Sequence, residues 1–341
     1  MPPALTPEDH SAVLRVHIGH RPPRPNVSYV DQLVGEDQEG IAFSYFTGLL
    51  RNYDVDVVHV HHPCALLGGK TDGDPLPKND LVLSALALRV VHNLRKNRTA
   101  LVQTVHGKDH CGTGRWRRIL ERATDAYITL DAEMKTPAPD RTVHIPHAHY
   151  RERFLGYPVA EQIPGRVLCI SPHRLAAVCA APLRVFELTS TAGLSLRVAG
   201  GPDPAVSSLI DRADAGTQEK ISSRLELLSD AAMVEEISEA ELVLLPAIET
   251  LADESMLFMA LSLERPVLVQ DSPAVQSLRR EVGPGWIHTH AGPLTAERID
   301  SVMDALQSSP AEQPPQFIGR DMDVVAQQYA ALYRAASRRR R

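Results

Sequence analysis

The chain has 341 residues, 43% of them hydrophobic and 23% charged, with a formal net charge of −6. That is a globular profile, long enough for two domains of ordinary size. The acidic balance gives no field for nucleic acid, and no apolar run approaches the ~20 residues that cross a bilayer.

The start of the chain has neither a basic n-region nor an apolar h-region, so it does not read as a signal peptide. Four widely spaced cysteines, Cys64, Cys111, Cys169 and Cys179, form no C-x-x-C and read as reduced thiols of a cytoplasmic protein.

In chain order the pattern predicts a strand over 14–19 and then a turn-rich stretch, 20–26, with three prolines. A polar helix begins near Ser28, and 41–45 is a short strand. Residues 55–61 (VDVVHVH) read as a buried strand ended by Pro63. After a Gly-rich loop, 68–79, Asp80 is expected to cap a helix running to Lys96. A strand over 101–106, a basic helix over 115–122, and strands over 126–130 and 142–145 follow.

Pro and Gly mark a boundary over 157–165. Strands then restart at 166–170, 194–199 and 225–228. An acidic helix, 231–240, leads into a strand–turn–helix–strand unit spanning 241–269, with a short strand at 286–288 beyond it. Residues 310–316 form a linker, and 321–336 a last helix. Strands alternating with helices imply an α/β chain with two Rossmann-like, doubly wound domains, 1–158 and 165–310.

Fifteen histidines are the most suggestive single-residue signal, because several end predicted strands. In open α/β sheets ligands bind at those ends. His20 follows the first strand, His59, His61 and His62 close the third, and His106 closes the next. Imidazole donates a hydrogen bond to a ligand or acts as a base near neutral pH. The competing role is edge capping, and His59, inside a buried strand, is expected to be a hydrogen-bonded core residue. The histidines have no carboxylate or cysteine at metal-ligand spacing.

Gly68-Gly69-Lys70-Thr71 mimics the end of a P-loop, but Cys64 stands where the motif needs glycine. No G-x-G-x-x-G follows the first strand and no G-x-S-x-G occurs, which disfavours dehydrogenases, sugar epimerases and α/β-hydrolases. Arg115-Trp116-Arg117-Arg118 and the terminal Arg338 to Arg341 are basic enough to meet an anionic lipid surface or a pyrophosphate, with a solvated helix face and a tail as the plainer alternative.

Five segments, spread over roughly residues 12 to 305, together resemble bacterial GT-B glycosyltransferases of the family 4 type, small actinobacterial members included. They are Tyr53 to His61, Thr104-Val105-His106, Ala123 to Ile128, Ile145-Pro146-His147-Ala148-His149-Tyr150, and Met259 to Val269. The resemblance implies two Rossmann-like domains facing a cleft. The first would take the acceptor, the second a nucleoside-diphosphate sugar, and the helix over 321–336 would cross back to the first. No metal and no cofactor is implied, since helix N-termini and cations stabilise the leaving diphosphate.

By matched position His106 would contact the donor sugar, and the stretch from Gly19 to Asn26 would face the reaction centre on the acceptor side. If the reaction inverts the anomeric carbon, His20 is the candidate base. Arg174 would offset phosphate charge, Glu249 would hold the ribose, and Glu254 with Ser255 would open the helix under the diphosphate.

The departures are specific. Ala176 stands where many members carry lysine, and Met259 where they carry a second glutamate. The sequence therefore reads as a glycosyltransferase acting on a glycan, lipid-linked or small-molecule acceptor. It is expected in the cytoplasm, with peripheral contact at the inner face of the membrane. The alternative is a GT-B protein that has lost donor binding and serves as partner or scaffold of another transferase.

Overall fold

The computed structural model describes residues 13–19, 29–35, 38, 40–46, 50–68, 79–105, 114–171, 175–245 and 255–340. Two six-stranded sheets organise them. The first contains β1 (Leu14–Gly19), β2 (Ile41–Tyr45), β3 (Val57–Val60), β4 (Ala100–Val105), β5 (Ala126–Thr129) and β6 (Thr142–His144), in the order β2-β1-β3-β4-β5-β6. The second contains β7 (Arg166–Ser171), β8 (Ser195–Gly200), β9 (Ile221–Leu225), β10 (Leu242–Leu245), β11 (Val267–Gln270) and β12 (Ile287–His290), in the order β12-β11-β10-β7-β8-β9.

All strand pairs are parallel. Parallel pairing requires crossovers and cover on both faces. This is why the central strands, such as VVHV and LVLL, are buried throughout rather than alternating.

The helices supply that cover. On one face of the first sheet lie α2 (Asp80–Lys96) and α3 (Arg115–Ala123), closing a core around Val58, Leu83, Val90, Leu94, Leu101, Trp116 and Leu120. On the other lie α1 (Tyr29–Gly35) and the last helix of the chain, α11 (Met322–Arg338), whose Val325, Tyr329 and Tyr333 pack with Val16, Val57 and Ile128. The second sheet is faced on one side by α4 (Leu175–Val185), α5 (Pro204–Arg212) and α10 (Ala296–Ser308). On its other side lie α7 (Asp230–Glu239), α8 (Ser255–Ser262) and α9 (Pro273–Val282). A four-residue helix, α6 (Ala215–Gln218), precedes β9.

Several expectations needed correction. Asp80 does not cap α2. Asn79 does, its side chain accepting from Leu81 N (3.0 Å) and Val82 N (3.4 Å). The Asp80 carboxylate instead accepts from Arg115 N (3.1 Å) and so satisfies the start of α3, a long-range choice the local sequence does not reveal.

The strand expected at 225–228 lies earlier, at Ile221–Leu225, because its half-exposed SSRL run carries little hydrophobic signal. Cys169 and Cys179 are free and buried, but Cys64 is disulfide-bonded, against the expectation of reduced thiols throughout. A bridge between cysteines far apart in the chain leaves no spacing signature, and the cysteines no longer argue for a reducing compartment. Finally, Arg340 is not a loose tail residue. Its guanidinium pairs with Asp125 (2.9 Å) and donates to Ala123 O (3.0 Å).

Candidate active site

Strand order decides where a ligand can sit. In an open parallel sheet the crossovers from two adjacent strands can leave to opposite faces, and the gap between them at the carboxyl edge is the binding crevice. In the first sheet β1 lies between β2 and β3, so the switch falls between β1 and β3. In the second, β7 lies between β10 and β8, and the switch falls between β7 and β10.

The segments that directly follow these four strands contain most of the candidates from the sequence. Gly19 ends β1, with His20 and Asn26 next along the chain. His61 and His62 follow β3. Arg174 comes three residues after the end of β7, and Glu249 and Glu254 lie between the end of β10 and the start of α8. His106 follows β4, the next strand in the first sheet. His20, Asn26, His106, Arg174, Glu249 and Glu254 themselves lie outside the described residues. Gly19 and Ser255 lie within them.

Gly19 has a packing reason to be glycine. A Cβ there would meet Phe46 Cζ at 2.7 Å and Val60 Cγ1 at 3.0 Å. Phe46 in turn stacks on His17 (4.9 Å between centroids), whose Nδ1 is 2.8 Å from Ser44 Oγ. Burial pushes the His17 imidazole below its ordinary value. The strand exit is therefore held by a neutral ring, not a cation.

His59 is a core residue, as expected. It is fully buried, its Nε2 is 2.8 Å from Thr104 Oγ1, and the Tyr333 hydroxyl of α11 lies 2.8 Å from its Nδ1. Its neighbour His61, with His62, Gln103, Thr104, Arg117 and Tyr127, lines a recess of about 40 Å³ at the carboxyl edge. That is room for about three waters, not for a hexose. Arg117 is committed there to Glu121 (2.9 Å).

Ser255 is the first residue of α8 and is partly exposed, while the seven residues after it are buried. The helix thus begins on the carboxyl side of β10, next to the β7/β10 switch, and a helix N-terminus there suits an anion. Met259 is 1% exposed and packs in the core, so that helix face offers no second carboxylate.

The start of α4 also differs from a simple phosphate cradle. Ala176 N donates to Asp203 Oδ2 (3.1 Å), and the same carboxylate caps α5 through Ala205 N (3.0 Å). At the position where the resemblance leads one to expect lysine, the backbone donor is taken by a carboxylate. Sequence reasoning missed Asp203, since nothing local links it to Ala176.

It also missed why the segment Ile145 to Tyr150 matters. His147 stacks on Phe258 of α8 (4.5 Å, 7° between planes). Tyr150 N donates to Ser262 Oγ (2.8 Å) at the other end of the same helix. His149 Nε2 lies 3.0 Å from Asp321 Oδ1, and Arg320 donates to His147 O (3.0 Å) while pairing with Glu281 (2.8 Å). These residues anchor the helix that opens at Ser255. They position it and do not touch the site. Among the described residues no group of three His, Cys, Asp or Glu side chains is placed to hold a metal ion.

The architecture is that of the GT-B glycosyltransferases. A glycosyltransferase from Rickettsia africae superposes with a TM-score of 0.58 at 9% identity, covering 96% of this chain and 99% of that one. HepE of Anabaena, solved with UDP, gives 0.56 at 10% identity over 94% of this chain and all of the other. A UDP-GlcNAc 2-epimerase from Neisseria meningitidis shares the fold at 0.54 and 11% identity over 94% of this chain and all of the other, so architecture alone does not separate transfer from epimerisation.

Sequence likeness separates them. Over 339 residues, 95% of this chain and 93% of its relative, the chain is 29% identical to a GDP-mannose:glycolipid 4-beta-D-mannosyltransferase of Xanthomonas campestris pv. campestris. No family model matches. Fold and full-length likeness agree on the class, a GT-B glycosyltransferase using a nucleotide sugar.

Proposed function

We propose that this protein moves a mannosyl group from GDP-mannose to the sugar of a glycolipid, without a metal ion, as a peripheral protein at the inner face of the membrane. The observation that carries the reading is the likeness to a mannosyltransferase over 95% of the chain. In this reading residues 1–158 receive the acceptor, residues 165–310 bind the donor, and the helix over 321–336 ties the two together.

The chemistry follows from the second switch point. Departure of GDP builds negative charge on the diphosphate. The N-terminal N–H groups of α8 and the Ser255 hydroxyl stabilise that charge from one side, and Arg174 from the other. Glu249 accepts from the ribose hydroxyls, and Glu254 completes the entry to the helix. His106 orients the donor sugar. On the first sheet the segment from Gly19 to Asn26 faces the acceptor, with His20 as the base that takes the proton of the attacking hydroxyl. Asp203 at the start of α4 leaves the phosphate contacts to fewer cations than usual, which makes the α8 end decisive.

The test is a donor panel read by thermal unfolding and by product formation. A ligand at a hundred times its Kd stabilises the native state by about 2.7 kcal/mol. GDP-mannose is expected to raise Tm, UDP-glucose and UDP-GlcNAc to do so weakly or not at all, and radiolabel from GDP-mannose to enter a lipid-extractable glycolipid. Preference for a UDP-sugar overturns the choice of donor. Absence of any shift and any transfer favours the scaffold alternative.

A further inference from the structure

The layer made by α2 and α3 has an unusual outer face. Both helices bury one stripe under the first sheet, Leu83, Ala87, Val90 and Leu94 from one, Trp116, Leu120 and Ala123 from the other. Their opposite stripes therefore share one surface. The helices touch closely at their N-terminal ends. Asp80 accepts from Arg115 N (3.1 Å), and a Cβ on Gly114 would lie 2.3 Å from Asp80 Oδ1.

On α2 that outer surface carries Leu81 (71% exposed), Val82 (48%) and Leu88 (58%), three of the ten large hydrophobic residues left exposed among the described residues. On α3 it carries Arg115, Arg118 and Arg122, all exposed and spaced i, i+3, i+7, hence on one stripe. The exposed part of α2 adds further cations from Arg89 to Lys96. The two helices carry seven arginines and lysines against two carboxylates. Asp80 is engaged by the α3 backbone, and Glu121 is paired with Arg117. A chain of net charge −6 has thus gathered apolar side chains and, among the described residues, an excess of cations on one face.

That combination fits an anionic bilayer surface. Leucines enter the headgroup boundary and arginines meet the phosphates, each close to the other. A water-soluble acidic partner would use the cations and leave Leu81 and Leu88 without a role. Position supports the same occupant. The N-terminal ends of α2 and α3 lie at the carboxyl edge of the first sheet, the edge that holds Gly19, His61 and the recess beside Arg117. A lipid surface docked there delivers the head of a lipid-anchored acceptor to the crevice. By contrast Arg340, near the chain end, is already paired with Asp125 and is not part of the face.

We infer that the outer face of α2 and α3, Leu81, Val82 and Leu88 with Arg115, Arg118 and Arg122, docks the protein on anionic phospholipid. This deepens the glycolipid reading above and rests on it for its purpose, but its primary readout, vesicle binding, needs neither donor nor acceptor. The full chain is sedimented with sucrose-loaded vesicles of phosphatidylcholine alone or with about 30% phosphatidylglycerol, at low and high salt, the mix and salts being chosen to vary surface charge. Binding is expected with the anionic vesicles only, weakening with salt. Each cation near such a surface contributes about five-fold in partitioning, so R115S/R118S/R122S is expected to lower it about 100-fold. L81S/L88S is expected to weaken binding at every salt concentration.

Circular dichroism and the GDP-mannose shift report whether each variant is folded and keeps its donor site. Failure of vesicle binding alongside an intact donor shift overturns this inference alone, whereas loss of the donor shift with vesicle binding intact overturns the functional reading alone. Equal binding to neutral vesicles, unchanged binding of the triple variant, or a self-association abolished by L81S/L88S also overturns it, the last by making a second copy the occupant.

Discussion

Replacing Arg320 with methionine tests whether the segment around it holds α8 in place. The guanidinium Nη2 lies 2.8 Å from Glu281 Oε2, Nη1 donates to His147 O at 3.0 Å, and the group lies 5.2 Å above the Phe258 ring of α8. The side chains are 9% and 22% exposed. Removing one partner of a buried pair costs about 3–5 kcal/mol, because the other charge stays desolvated and unpaired. Glu281 keeps some access to water, so the lower end applies, about 3 kcal/mol. Adding Glu281→Gln should recover about 1–2 kcal/mol, since the stranded charge is then gone.

The chain has two tryptophans, Trp116 under the first sheet and Trp286 in the core of the second. In a Trp116→Phe background, urea unfolding followed by fluorescence therefore reports on the second half, avoiding a single two-state fit to both. A loss below about 1 kcal/mol, or a double variant no more stable than Arg320→Met, would refute the argument.

Three further outcomes are expected. Burial lowers the pKa of His17, His144, His288 and His290, so the folded state takes up protons later than the unfolded chain does. Stability should therefore be greatest above the unfolded value of about 6.5 and fall as pH drops through it toward the lower folded values, and a Tm that stays level or rises from pH 7 to 5 contradicts this. Gly200→Ala places a Cβ 2.1 Å from Ser171 O at the β7/β8 edge, where φ is +152°, so the variant should lose at least ~3 kcal/mol in denaturant unfolding, and a near-neutral result would mean the strand ends move apart freely. Ser255→Ala should leave urea unfolding unchanged but raise the donor Kd about tenfold, the loss of one hydrogen bond to a charged group; an unchanged Kd would remove Ser255 from the site.

The sequence by itself determined the alternation of strands and helices. Runs such as VVHV and LVLL are apolar at every position, as strands covered on both faces must be, and α2 and α11 show their buried stripes at helical spacing. It also placed its candidates at element ends, since His61, His62, Gly19 and Ser255 adjoin strands or helices that local patterns mark. Boundaries were less legible where the signal is weak, as at β9, or where a cap depends on another helix, as at Asp80.

Only the tertiary structure decided the strand order, and with it the two switch points that most of the candidates adjoin along the chain. It alone shows that the Ala176 amide is taken by Asp203 and that His147, Tyr150 and Arg320 clamp α8. It alone shows that leucines on α2 and arginines on α3 share a surface. The physical reason is the same each time. Local propensity acts over a few residues, whereas these contacts join groups tens to more than a hundred residues apart, and nothing in the chain between them records the meeting.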